Sequence, residues 1–198
     1  MLTAGYGLRG SSTGAVEYLA HVTDDLTGDL TGDLTGGADL AALLREERDI
    51  REICQLKYRY LRTLDSKDWS GFEECFVPEA TGDYNGLVFD DREALVSYMR
   101  ENLGEGLITL HQAHHPEIEV DGDTGDTATG RWYLYDRVIV EAFSFMLEGG
   151  AFYTDRYVRT PDGWRVLHTG YRRTFEATYN LGDLPGFKLT GPGVHTHK

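Results

Sequence analysis

The stretch Thr127-Ala128-Thr129-Gly130-Arg131-Trp132-Tyr133-Leu134-Tyr135-Asp136-Arg137-Val138-Ile139-Val140 decides the fold. A β-strand shows alternate side chains to opposite faces. One face of this run carries Trp132, Leu134, Val138 and Val140, with Asp136 as the single charge among them. The other carries Arg131, Tyr133, Tyr135 and Arg137. The run reads as a long strand with its even positions facing a core and one carboxylate pointing inward. A buried carboxylate is costly unless it is paired or protonated. Asp136 is therefore a candidate functional residue, with a structural ion pair to an arginine of a neighbouring strand as the alternative.

Outward from this strand the pattern repeats. Thr109 to Val120 and Ala151 to Arg159 read as strands, as does Trp164 to Glu176 after the turn Thr160-Pro161-Asp162-Gly163, where Pro presets φ and Gly closes the turn. In the last strand Leu167, Thr169, Tyr171, Arg173 and Phe175 share a face, and Arg173 is the lone charge able to meet Asp136 across the sheet. A bulge at Gly170 would invert that face. Upstream, Ile50, Ile53, Cys54, Leu61 and Leu64 recur at helical spacing together with Tyr60. This predicts a helix from about Asp39, its N-cap, to the polar run Asp65-Ser66-Lys67-Asp68. A short second helix through Trp69, Phe72, Cys75 and Phe76 is expected to stop at Pro78. Asn85-Gly86 marks a tight hairpin between Ala80–Tyr84 and Leu87–Phe89. Asp90 with Glu93 marks the start of a third helix ending near Asn102. Helices segregated from a run of strands predict an α+β fold. Strands this long curl, so a cone-shaped curved antiparallel sheet with helices packed on it is expected, enclosing a pocket.

The whole chain has 198 residues with 33 acidic and 19 basic side chains, a formal charge of −14. That balance argues against a nucleic-acid backbone as partner and against adsorption to anionic membranes. Cys54 and Cys75 make no disulfide framework and read as two buried free thiols. The longest apolar stretch, Val138 to Leu147, is broken by Glu141 and is too short to span a bilayer. No basic region followed by an apolar run marks a signal peptide, and a cytoplasmic protein is expected. Residues 1–39 read as a flexible acidic leader rich in Gly, Thr and Asp, with a Leu-Thr-Gly-Asp repeat too short for a solenoid unit. Residues 40–180 form the expected catalytic domain, and 181–198 a C-terminal tail.

The densest titratable cluster is His111-Gln112-Ala113-His114-His115. A strand sends His111 and His115 to one face and His114 to the other, so no shared metal is expected. A histidine here is better suited to general-base work, given an acidic partner to fix its tautomer. Asp65, at the end of the first helix, is the candidate partner. Tyr60 lies on that helix's apolar face. It reads either as a core tyrosine or as a phenol donating to a carbonyl or enolate oxygen. Phosphate-cradling, dinucleotide-binding and nucleophile-elbow motifs are absent from the sequence, and no cofactor is expected.

Several segments in order carry a family resemblance: Leu56 to Asp65 followed by Trp69, His111 to Ile118, Thr129 to Arg137, Gly149 to Asp155, and Thr169 to Arg173. Together they resemble the SnoaL-like dehydratases of the nuclear transport factor 2-like superfamily, whose fold is cystatin-like. They are most similar to the bile-acid 7α-dehydratase branch, and more distantly to scytalone dehydratase, polyketide cyclases and ketosteroid isomerases. The resemblance places the family's active-site tyrosine on Tyr60, its first-helix aspartate on Asp65, its histidine on His111, its strand aspartate on Asp136 and its last-strand arginine on Arg173. It implies an acid–base dyad of His111 and Asp65. The leader is extra, the Arg137–Gly149 connection is shorter and more apolar than in the bile-acid branch, and Glu148 stands where that branch prefers an amide. Another flat hydrophobic ketone is therefore an alternative to a steroid.

The resulting expectation is a cofactor-independent hydro-lyase acting on a hydroxylated, carbonyl-activated hydrophobic substrate such as a steroid or polyketide. His111, oriented by Asp65, removes a proton; Tyr60 serves the enolate oxygen; Asp136 donates to the departing hydroxyl; Arg173 positions. Tyr60 and Asp136 can exchange roles. Double-bond isomerisation or polyketide cyclisation in the same cavity is one alternative. A non-catalytic ligand-binding module, in which His111 and Asp65 stand too far apart to bond, is another. The resemblance also implies a homo-oligomer, a trimer being favoured.

Overall fold

The computed structural model describes residues 37–122 and 125–190. The leader before residue 37 and the tail beyond residue 190 lie outside the described residues. Compact units divide at Arg45/Glu46, and every residue of the sheet and of the candidate site belongs to the second, residues 46–198. Helix α1 spans Gly37–Ser66. Asp39, the expected N-cap position, already lies within it. Its apolar stripe Ile53, Leu56, Tyr60, Leu61 and Leu64 is buried, and packing of such a stripe supplies most of a helix's stability. The chain leaves α1 through Lys67 in the left-handed region, φ 60°. Asp68 then caps α2, Trp69–Glu73, by accepting from the Gly71 N–H at 3.1 Å.

Strand β1 covers Phe76–Tyr84 and β2 Leu87–Phe89. The second helix is shorter than its apolar spacing implied, because Phe76 already belongs to β1. Pro78 sits exposed inside that strand, where the register with its neighbour is interrupted. A residue lacking an N–H is tolerated at such an irregularity. Asn85 and Gly86, at φ 54° and 100°, make the expected tight turn. Helix α3, Arg92–Asn102, is capped by Asp91, whose side chain accepts from Ala94 N–H at 2.8 Å. Asp90, the expected cap, is one residue too early.

Strands β3 (Ile108–Val120), β4 (Thr127–Val140), β5 (Phe145–Thr160) and β6 (Gly163–Asn180) complete a curved six-stranded sheet of order β2-β1-β6-β5-β4-β3. The α+β class and the curvature are as expected. The β1–β6 pair is parallel and the others antiparallel, so the sheet is mixed. The apolar run after Val138 is a hairpin: a single 3-10 turn at Glu141–Phe143, then Ser144 at φ 49°, returns the chain into β5. No helix among the described residues is long and apolar enough to cross a membrane.

The inner face of the sheet follows the β4 alternation, with Trp132, Leu134 and Asp136 buried. Strand β6 departs from simple alternation. Its register with β5 shifts between Arg156 and Tyr157 and again between Gly150 and Ala151. The second shift falls at Thr174, beyond the Gly170 position considered from sequence. Arg173 stays inward while Phe175 turns outward and is exposed. Cys75 is buried and Cys54 half-buried, both free thiols.

Candidate active site

The end of α1 brings Asp65 against β3. Its carboxylate accepts from His111 Nδ1 at 2.7 Å, from the His111 backbone N–H at 2.8 Å and from Thr109 Oγ1 at 2.8 Å. A carboxylate only accepts, so Nδ1 carries a hydrogen and Nε2 faces away from Asp65. The His111 and Asp65 side chains are 10% and 20% exposed, sheltered but reachable. The separated pair expected of a binding module is not what the structure shows.

His111 stands directly opposite Asp136 in the β3–β4 register, so the two side chains share the inner face as neighbours. Asp136 in turn opposes Gly149 on β5. From β6, Arg173 reaches across that glycine and grips Asp136 with both arms, Nη1–Oδ1 2.5 Å and Nη2–Oδ2 2.8 Å. The passage exists because position 149 has no Cβ: one built there would lie 2.6 Å from Arg173 Nη1. This fork corrects one expected role. Both Asp136 oxygens are engaged as acceptors, so in this geometry Asp136 does not donate a proton to a departing hydroxyl. It holds Arg173, which also meets Glu176 at 3.3 Å.

Tyr60 lies one layer deeper. It is 1% exposed, packed on Phe72 and Phe76, and its hydroxyl meets that of Tyr84 at 2.7 Å. Burial, then the neighbouring Tyr153, pushes its phenol well above the ordinary tyrosine value, so it stays protonated. The Tyr84 ring stands 5.4 Å from Tyr171, and the Arg173 guanidinium lies 4.9 Å from the Tyr171 ring. Asp65, His111, Asp136 and Arg173 thus come together directly. Tyr60 joins them through Tyr84 and Tyr171.

His114 and His115 are exposed on the opposite face. His115 takes φ 49° where the β3–β4 register shifts between His114 and Glu117, and it turns toward Tyr133 instead of joining His111. That opposite face holds an open cavity of about 650 Å³ lined by both histidines, Tyr133, Phe152 and Phe175, apart from the dyad. Among the described residues no three His, Cys, Asp or Glu side chains converge to hold a metal ion.

The SnoaL-like domain profile matches residues 45–170. The chain belongs to the SnoaL-like family. It is 29% identical over 134 residues to the uncharacterized protein Rv2910c of Mycobacterium tuberculosis, covering 66% of this chain and 89% of that one. Among solved structures it is similar to an NTF2-like protein with a cystatin-like fold from Novosphingobium aromaticivorans, at 24% identity and TM-score 0.59, covering 71% of this chain and 92% of that one. It is also similar to the hexachlorocyclohexane dehydrochlorinase LinA-type3 of Novosphingobium barchaimii LL02, at 14% identity and TM-score 0.63, covering 75% of this chain and 99% of that one. These two likenesses establish the shared fold.

Three features of this SnoaL-like site escaped the sequence reading. Lys67 donates to Thr109 Oγ1 at 2.8 Å, and Thr109 in turn donates to Asp65; its place in a polar helix terminator disguised it. Tyr171 shares the face of Arg173, as the alternation places it, but its ring contact with Tyr84 leaves no mark in the sequence. Lys57 and Asp155 form a buried ion pair at 2.8 Å beneath Tyr60 and Tyr153. The last had a signal: Lys57 falls within the helical stripe of Ile53, Tyr60, Leu61 and Leu64, and Asp155 alternates with Tyr153 and Tyr157.

Proposed function

We propose that this SnoaL-like protein is a cofactor-independent dehydratase acting on a hydroxylated, carbonyl-activated hydrophobic substrate such as a steroid or polyketide. The observation that carries the reading is the 2.7 Å bond between His111 Nδ1 and Asp65, which orients the ring with Nε2 turned away from the carboxylate, where it can serve as base. Nε2 takes the proton made acidic by the carbonyl, and Asp65 stabilises the imidazolium that results. The same Nε2–H then returns the proton to the departing hydroxide, which leaves as water. Tyr60 serves the enolate oxygen. When Tyr84 donates to Tyr60, the Tyr60 hydrogen is left for a second acceptor. The Asp136–Arg173 fork fixes the wall opposite His111.

Beyond Asp136 the inner face continues through Val138 and Val140 on β4, and Leu147 and Phe145 opposite them on β5, all half-buried. An apolar rim of this kind suits a flat greasy substrate. The dehydrochlorinase of similar fold is named for an elimination as well, which supports a lyase reading.

Isomerisation of a conjugated double bond is the second reading, favoured by the engagement of both Asp136 oxygens with Arg173. It needs the base and the oxyanion donor but no acid for a leaving group. A turnover screen of hydroxy-ketosteroids and polyketides by mass spectrometry separates the two, since dehydration loses one water and isomerisation leaves the mass unchanged. On the substrate so found, His111→Ala is expected to cost about 10²–10⁴ in rate and Tyr60→Phe about 10²–10³, with folding retained. Wild-type turnover by both variants rejects the mechanism.

A further inference from the structure

Asp65 is an anion in an awkward place. It sits in the last turn of α1, where unpaired carbonyls favour cations, and that turn contains no basic residue. Three donors satisfy its oxygens, and two of them, the His111 backbone N–H and the Thr109 hydroxyl, are neutral. Unless a cation stands nearby, the third donor is driven to supply the charge: His111 becomes imidazolium and loses the lone pair a base requires. The cation comes from just past the helix end. The left-handed turn at Lys67 brings its ammonium to Thr109 Oγ1 at 2.8 Å, and because that hydroxyl donates its hydrogen to Asp65, it accepts from Lys67.

We propose that Lys67 is a positioning residue for the His111–Asp65 pair: its ammonium, relayed through Thr109, balances the Asp65 carboxylate and keeps the His111 imidazole neutral with Nε2 free. The inference rests on the reading of His111 as the base. Burial lowers Lys67 to about 8 while the Asp65 charge works the other way, so the ammonium persists at neutral pH. The other charged groups around His111 come from different elements. Asp136 on β4 faces it directly and is neutralised by Arg173 on β6, which also meets Glu176. Asp65 is thus the carboxylate whose balance depends on Lys67.

The test is an NMR titration of the ¹⁵N-labelled histidine side chains in the full chain, which needs no substrate. Lys67→Met is expected to raise the His111 pKa by roughly 0.5–1 unit, as loss of a nearby cation at intermediate dielectric should. Lys67→Arg is expected to hold it within about 0.2 unit of wild type, because the charge is kept. Thr109→Val, which cuts the relay without removing a charge, should move it in the same direction as Lys67→Met by a smaller amount, and it stands in if Lys67→Met does not fold. An unchanged His111 pKa in Lys67→Met, or an equal rise in Lys67→Arg, overturns the proposal. A titration that behaves as expected in a protein whose turnover ignores His111→Ala overturns the dehydratase reading and leaves the electrostatic coupling intact.

Discussion

Lys57–Asp155 and Asp136–Arg173 are both opposite charges held on the inner face of one sheet, and they differ in what surrounds them. Lys57 and Asp155 are each 0% exposed. The Lys57 ammonium lies 3.4 Å from the centroid of the Tyr153 ring, and Asp155 accepts from Tyr157, which accepts from Trp132. Burial draws the Lys57 ammonium below the ordinary lysine range, against the pull of Asp155. Asp136–Arg173 lies toward the rim, beside His111, with the Arg173 side chain 12% exposed. The sealed pair can only organise the core around Tyr60. The rim pair adjoins the partly exposed His111–Asp65 pair and the half-buried apolar side chains of Val138 and Leu147. Burial of a charge alone thus does not separate the two pairs, and what each pair adjoins does.

The largest expected effect tests the sealed half of this contrast. Lys57→Met strands Asp155 without its cation, and breaking a buried pair in this way costs about 3–5 kcal/mol. Chemical denaturation should show a drop of that order in the unfolding free energy. Replacing both partners by apolar residues, as in Lys57→Met with Asp155→Leu, should recover much of it, because no charge is then left buried. If Lys57→Met is no more destabilising than Arg173→Met, sealing does not set the difference between the pairs.

The next effect tests the rim. Gly149→Ala places a Cβ where Arg173 Nη1 passes, and a second contact at 3.0 Å, to the Phe175 carbonyl, prevents the strand from simply yielding. The guanidinium must shift and the fork on Asp136 loosens. Overpacking of this kind costs about 1–3 kcal/mol. Misplacing a positioning group by about 1 Å costs on the order of 10²-fold in turnover. The contrast predicts a variant that folds and turns over poorly. Wild-type turnover would show that the fork serves only the fold.

Much of this was legible from alternation. The period-two pattern of β4 places Asp136 inward, and that of the last strand puts Arg173 on a face from which it can meet Asp136 across the sheet. Where the reading failed, the cause was local geometry. The Thr174 shift turned Phe175 outward, and the bulge after His114 turned His115 away from His111, because one extra residue reverses the face of all that follow. The protonation role given to Asp136 failed for a different reason. Sequence shows a carboxylate facing inward but not the fork that occupies both of its oxygens. Gly149 stands in the sequence as one half of a Gly-Gly pair, and its use as a passage for Arg173 exists only in three dimensions.

The smallest effect lies on the outer face, where Glu148 offers a third kind of charge cluster. Its carboxylate accepts from Tyr179 at 2.7 Å, from Arg137 at 2.7 Å and from Tyr135 at 2.8 Å, tying β4, β5 and β6 together near the hairpin. The Tyr179 bond, then those of Arg137 and Tyr135, lowers Glu148 from 4.5 to about 2. A carboxyl whose folded value is depressed contributes stability above its unfolded value and loses that contribution as the pH falls toward the folded one. The Glu148 contribution should therefore be complete above about pH 4.5 and fade between there and about pH 2. Glu148→Gln keeps the shape and removes the titration, so its unfolding free energy should fall less steeply with acid across that window than the wild type's. At neutral pH the loss should be small, because the cluster is partly solvated and water screens its charges. The His111 titration should be untouched, since Glu148 lies on the other side of the sheet. Identical acid slopes in wild type and Glu148→Gln would mean that the three bonds are exchanged for water at no cost, and the outer cluster would then contribute nothing that the inner pairs do not already supply.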